Sequence, residues 1–227
     1  VAEMGQPVAL AFLELANPDI PTVLTDLVER GAKRIVVQPL MLSFASHVQA
    51  DIPMILREFA HDHADVTFIY GDAFGEDDAI AAVAAERLEG ALHDWDVKDF
   101  ALLTVGRGAD NARANALADW LNGRLSDRFH PRASTTAFAG KASPTVEEAL
   151  EELSRRAPDT PIVVFPYLLF DGYVATTIGH AVRDFKARTG ARVRRADPLG
   201  PHCALVTMLA ARMTALQHAP GPAIITP

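Results

Sequence analysis

Two side chains in this sequence have the chemistry and the placement to hold a divalent metal. Glu14 closes the segment VALAFLE, and His47 follows the apolar run RIVVQPLML within PLMLSFASHVQADIP. Each sits at or just past the C-terminal end of an expected strand, the edge of an open parallel sheet where ligands bind. The two strands are consecutive across one helix. A carboxylate oxygen and an imidazole nitrogen facing one cleft can hold a divalent first-row metal. Asp51, one helical turn after His47, is placed to orient the ring. The competing reading is a solvated loop histidine and an unrelated strand-end glutamate.

Other chemistry-bearing stretches are weaker. VGRGADNARAN, residues 105–115, is a glycine-flanked turn between strand and helix. Such a turn can cradle an anion at a helix N-terminus, and Arg107 would strengthen it. It is neither a Walker loop nor GxGxxG, and the competing reading is a tight turn that needs glycine for its backbone angles. His61 and His63 in HDHAD fall at the far edge of the sheet and read as a solvated turn. His202 in GPHCA reads as a helix-start histidine. His93, His130, His180 and His218 form no constellation. No GxSxG elbow or Ser-His-Asp order is visible. The single cysteine, Cys203, excludes a disulfide framework and a cysteine-rich metal site within the chain. Its apolar neighbours predict a buried thiol.

The elements that must position Glu14 and His47 alternate strand and helix, which predicts parallel sheets with helices on both faces. Strands are expected at VALAFLE, RIVVQPLML, VTFIY, ALLTVG, ASTTAFA, PIVVFPYLLF and RVRRA. The unbroken apolar run of RIVVQPLML predicts burial on both faces. Helices are expected at DIPTVLTDLVERG, DIPMILREFA, DDAIAAVAAERLEGAL, DNARANALADWLNGRL, SPTVEEALEELSRR, YVATTIGHAVRDFKAR and HCALVTMLAARMTAL. Ser143 before Pro144 is read as a helix start. Pro53 is tolerated only in a first turn.

The two halves repeat. Phe12, Pro18, Leu24 and Leu27 align with Phe138, Pro144, Leu150 and Leu153. After a one-residue shift, Val36, Pro39 and Leu42 align with Val163, Pro166 and Leu169, and His47-Val48 with Tyr173-Val174. GDAFG aligns with ADPLG. An internal duplication is the simplest cause. The expected domains are residues 1–96 and 97–217, joined at HDWDVKD, with 218–227 as a tail. The second half opens with a strand–helix unit that has no counterpart in the first, which starts at VAEMG, read as a helix tail. By the repeat's spacing that unit is on the order of 25 residues.

Composition narrows the partners. The chain has 227 residues, 49% of them hydrophobic, enough to bury a real core. The net charge of −8 argues against nucleic acid or an anionic membrane. No apolar run is long enough to span a bilayer and no signal peptide is read at the start, so a soluble, cytoplasmic setting is expected.

At FLELANPDIP and PLMLSFASHVQADIP the sequence resembles the sirohydrochlorin chelatases, the CbiX-like branch of the class II chelatases. VGRGADNARANA, ASPTVEEALEEL, FPYLLFDGYV and DPLGPH look like the second half of its long, two-domain members. The resemblance reaches to about Leu216. It implies two similar flavodoxin-like α/β domains and insertion of cobalt or ferrous iron into sirohydrochlorin, on the way to cobalamin or siroheme. The metal is then a substrate, no organic cofactor is needed, and the partner is a small tetrapyrrole. The family's metal ligands are a histidine, a glutamate and a second histidine. The glutamate falls on Glu14 and the second histidine on His47. The first histidine belongs to a GHGS turn that falls in the strand–helix unit without a counterpart in the first half; in the second half its place is taken by GRGA, with Arg107 in the histidine position. Gly140 stands opposite Glu14 and Tyr173 opposite His47. One metal site, in the first half, is the implied arrangement.

Metal insertion needs no nucleophile and no ATP. A histidine serves near pH 7 as ligand or as base, so His47 is also the expected proton acceptor. Ser43 and Phe44, in the small-residue lip SFAS, leave room for a flat macrocycle, and Tyr173 belongs to the same expected binding surface. Arg107 is the first candidate for the substrate's carboxylates. Two rival readings are a non-catalytic tetrapyrrole- or metal-binding protein on the same scaffold, and a two-domain sugar- or anion-binding protein.

Overall fold

The computed structural model describes residues 7–93, 95 and 99–218. VAEMG, most of the connector HDWDVKD and most of the tail therefore lie outside the described residues. The chain forms two compact units. One takes the chain up to Phe74 and again from Val206; the other is Gly75–Leu205.

In the second unit four parallel strands lie in the order β4-β3-β5-β6: β3 (Ala101–Gly106), β4 (Ala133–Phe138), β5 (Ile162–Pro166) and β6 (Val193–Arg195). All six residues of β3 are buried, as a central strand requires. Ala101, Leu103 and Val105 join the core formed with α5 (Val146–Arg156) and α6 (Tyr173–Thr189). Thr104, of the alternate set, donates its hydroxyl to Asn122 on α4 (Ala112–Phe129), 3.0 Å away. The period-two alternation of the strand thus divides helices between two faces.

The start of α5 differs from the expectation. Its N-cap is Thr145, whose hydroxyl accepts from Glu148 N–H while the Glu148 carboxylate accepts from Thr145 N–H. The signal was present as T-x-x-E, a capping box, and outranks Ser143-Pro144.

The first unit holds two parallel strands, β1 (Arg34–Val37) and β2 (Thr67–Tyr70), with Ile35 opposite Phe68. Its core joins Ile20 and Leu24 of α1 (Ile20–Glu29) to Leu56 and Ala60 of α2 (Ile52–Asp62). The Asp19 carboxylate caps α1 by accepting from Thr22 N–H. The repeat is visible in the backbone. Phe12 bridges Asp19 as Phe138 bridges Thr145. In both places the Phe N–H donates to a proline carbonyl, of Pro18 and Pro144, at 2.9 Å.

Two expectations for this unit fail for one reason. VALAFLE is not a strand; only the Phe12 bridge forms. RIVVQPLML gives a strand of four residues, and only Ile35 in it is buried. In the second unit β4 pairs with β3 alone, and β3 also covers β5. Among the described residues the first unit has no counterpart of β3. Residues 8–12 and β1 therefore both lack their ladder neighbour. A cavity of about 580 Å3 lies between them, lined by Val8, Ala9, Ile35 and Val36.

The repeats exchange their last helices. Helix α3 (Asp78–His93) follows β2 in sequence but belongs to the second unit, where Arg87 Nε and Nη2 donate to the Leu199 carbonyl at 3.0 and 2.9 Å. Helix α7 (Cys203–His218), from Val206 on, belongs to the first unit. There Arg212 donates to the carbonyls of Ala73 at 3.1 Å and Phe74 at 2.8 Å. Phe74 is separated from Leu199 by the same spacing as Arg87 from Arg212, so the two anchors are equivalent in the repeat. The compact units consequently divide near residues 74 and 205, whereas the sequence repeats divide near 96.

Candidate functional site

The residues around His47 form a π-helical turn, His47–Asp51, that runs directly into α2. The expectation began this helix at Asp51; the structure begins the helical run at His47. The cause is Pro53, which has no N–H to donate. Ile52 N–H reaches back to the His47 carbonyl, the π pattern. The next bond in that pattern would run from residue 53 to the Val48 carbonyl. Instead the hydroxyl of Tyr70, the last residue of β2, donates to Val48 O at 2.8 Å. Burial, helped by the charge of Asp72, pushes the Tyr70 phenol well above its ordinary range, so it remains a donor. β2 thereby pins the turn that carries His47. No sequence period signals this tie.

His47 is half-buried, and its Nδ1 lies 2.7 Å from Asp51 Oδ2. With the carboxylate accepting, Nδ1 carries the proton, and in the neutral ring Nε2 keeps its lone pair for a ligand. The orienting role expected of Asp51 is therefore present in the geometry. Ser43 and Phe44 precede the turn and are half-buried.

Glu14 lies in the same unit, exposed, in the irregular segment after Phe12. Leu15 beside it is fully exposed with φ of 63°, in the left-handed region that costs a non-glycine residue roughly 1–2 kcal/mol. Among the described residues no group of three or more His, Cys, Asp or Glu is arranged to hold a metal ion.

Arg107 and Tyr173 belong to the second unit. Arg107 is exposed and has no ion-pair partner among the described residues. The anion cradle expected beside it is filled by the protein's own side chains. Asn111 accepts from the N–H groups of Arg113 and Ala114, and Asn115 holds both Ala109 N–H and Ala109 O. Gly108 has φ of 83°, and a Cβ there would stand 2.9 Å from Phe138 Cβ, so the tight-turn reading holds at Gly108. Tyr173 opens α6 as His47 opens its helical run, and is 87% exposed. Opposite Glu14, Gly140 has no room for a side chain: a Cβ would stand 2.6 Å from the Arg107 carbonyl.

The remaining residues are quickly placed. His63 stacks on Phe59 with ring centroids 4.1 Å apart, and His61 is exposed beside Asp62. His202 accepts from Ala204 N–H and faces Glu86 at 3.0 Å, a helix-start role as expected. Cys203 is exposed rather than buried: it is the first residue of α7, and Val206, one turn on, is exposed with it. No helix among the described residues is long and apolar enough to cross a membrane.

Two α/β repeats on parallel sheets, one carrying an oriented histidine at its strand edge and the other closed at the equivalent glycine, define a duplicated scaffold with a single candidate metal site. The chain belongs to the CbiX family, whose model matches residues 1–91 and again 101–216. A sirohydrochlorin ferrochelatase of Priestia megaterium is 30% identical over 93% of this chain and 79% of its own length. A sirohydrochlorin cobaltochelatase of the same organism is 26% identical over 90% of this chain and 68% of its own. The structure of SirB from Bacillus subtilis with Fe3+ superposes with a TM-score of 0.83 at 24% identity, covering 96% of this chain and 85% of that one, and shows the shared fold.

Proposed function

We propose that this protein inserts a divalent metal, cobalt or ferrous iron, into sirohydrochlorin without ATP, in the synthesis of cobalamin or siroheme. The observation that carries the reading is the His47–Asp51 pair, which presents a lone pair on Nε2 at the strand edge of a CbiX-family chain. His47 and Glu14 are the proposed metal ligands. As the metal enters the macrocycle, two pyrrole N–H protons must leave. Nε2 cannot bind a metal and a proton together, so the order is fixed. The metal departs first and the vacated Nε2 then accepts one proton; the second goes to the Glu14 carboxylate or to water. Arg107 is proposed to meet substrate carboxylates, and Ser43, Phe44 and Tyr173 to contact the ring.

A second reading, a binder without turnover, is favoured by one observation: no three-ligand group forms among the described residues. The test is anaerobic incubation with sirohydrochlorin and Co2+ or Fe2+, following the absorbance of the macrocycle. Conversion above the protein-free rate that is lost in His47→Ala supports the chelatase. Metal-dependent binding of the tetrapyrrole with no rate above background supports the binder.

A further inference from the structure

One cavity in the second unit gathers positive charge in a chain that is acidic as a whole. Five of the chain's 21 lysines and arginines, Arg183, Lys186, Arg192, Arg194 and Arg195, line one cavity of about 700 Å3 in this unit, in a chain of net charge −8. Among the described residues, Asp171 is the only carboxylate in that lining. Helix α6 supplies one wall. The other is β6, which pairs with β5 on one side only.

The cations are arranged, not merely crowded. The Arg194 guanidinium lies 4.9 Å from the centroid of the Trp95 ring, and its Nη1 donates to the Ala91 carbonyl at 2.9 Å. Arg192 lies 5.6 Å from the same ring. Arg195 donates to the Ala175 carbonyl and faces Asp171 at 3.5 Å. The indole thus holds two guanidinium groups by cation–π contact. Arg183 and Lys186 approach from α6, one turn apart and exposed. Among the described residues, none of Arg183, Lys186, Arg192 and Arg194 has a carboxylate partner. Like charges converging without a counterion repel one another, and a concave wall focuses their field.

Charge on an edge strand also deters pairing with other chains. That role would be met by β6 alone. It leaves unexplained why α6 turns two more cations into the same cavity and why Trp95 fixes the arginines.

We propose that this cavity is a binding site for a compact polyanion, a polycarboxylate or a polyphosphate, held by Arg183, Lys186, Arg192 and Arg194. Guanidinium forks match carboxylate and phosphate oxygens in pairs, and the volume suits a small molecule. The site lies in the repeat without the proposed metal ligands and does not depend on the chelatase reading.

Trp95 makes the test direct. The chain has two tryptophans, and Trp120→Phe leaves Trp95 as the sole indole. Citrate and pyrophosphate are titrated separately into this metal-free protein at fixed ionic strength, with sodium chloride as control. A saturable change in Trp95 fluorescence is expected, weakened at least tenfold by Arg183→Glu with Lys186→Glu. Arg183→Gln with Lys186→Gln serves if the charge reversal lowers the melting temperature. Saturation by citrate alone names a carboxylate ligand, by pyrophosphate alone a phosphate ligand, and by both a site for charge density. No saturable response to either anion, or one matched by chloride or unchanged in the variants, overturns the proposal and leaves the charges as edge protection.

Discussion

The Tyr70 hydroxyl donates to the Val48 carbonyl at 2.8 Å, and this bond replaces the one that Pro53 cannot make. Two elements distant in sequence, the end of β2 and the turn bearing His47, are joined through a single backbone oxygen. Tyr70→Phe leaves that carbonyl without its donor, at a cost of about 1–3 kcal/mol. Urea denaturation should show the loss. Pro53→Ala restores an N–H at the position the π pattern calls for. In the Pro53→Ala background the Tyr70→Phe cost should therefore shrink. Equal costs in both backgrounds would mean that the proline is not the reason for the tyrosine.

Asp51 fixes His47 through Nδ1, so its removal should be felt at Nε2. Asp51→Asn should loosen Co2+ binding about 10- to 100-fold, the usual effect of losing a carboxylate behind a ligating histidine. His47→Ala should abolish that binding. Calorimetric titration of Co2+ into the three proteins checks the order. Binding by Asp51→Asn as tight as by the parent would remove Asp51 from the site.

Two phenols, the half-buried Tyr70 and the buried Tyr167, predict the alkaline limit of stability. Tyr70 and Tyr167 are both raised well above the ordinary tyrosine value of about 10, chiefly by burial, with Asp72 acting on the first and Glu76 and Asp77 on the second. Tyr167 keeps its hydroxyl buried without a hydrogen-bond partner. An acid whose pKa is higher in the folded state loses its proton more readily when unfolded. The stabilising contribution is complete below pH of about 10 and falls as pH rises beyond it. The melting temperature should therefore drop steeply above that pH, less so in Tyr167→Phe. A parallel decline in parent and variant would rule out the buried phenol as the cause.

The alternation of strands and helices, the repeat, and the placement of His47 and Asp51 were all legible because each leaves a local mark: a period, a recurring proline, a spacing of one turn. The failures were non-local. VALAFLE has the composition of a strand, but a strand needs a ladder neighbour, and its neighbour by the repeat is a counterpart of β3 that the described residues do not contain. The exchange of α3 and α7 was invisible because their sequences say only that each is an apolar helix, not which sheet receives it. The anchors Arg87 and Arg212 were readable in principle, since they fall at equivalent positions. The Tyr70 tie was not, because it depends on a donor missing in the preceding element, at Pro53 of α2. At the Arg107 turn the sequence left out a competitor: Asn111 and Asn115, both inside the quoted stretch, take up the N–H groups of Ala109, Arg113 and Ala114.

The closure of the second repeat makes a prediction that separates loss of ligands from loss of space. Writing the first repeat's residues into the second, as Gly140→Glu with Tyr173→His, restores a carboxylate and an imidazole at the equivalent positions. If only the residue types were missing, the variant should bind a second equivalent of Co2+. The structure predicts otherwise. A Cβ at residue 140 would stand 2.6 Å from the Arg107 carbonyl, a backbone atom that cannot rotate aside. Gly140→Ala alone should therefore destabilise by about 1–3 kcal/mol, the cost of forcing an atom into filled space. The double variant should lose stability and still bind no more metal than the parent. Tyr173→His alone, at an exposed helix start, should be neutral. A second equivalent bound by a stably folded double variant would show that the second repeat is a site lacking only its ligands.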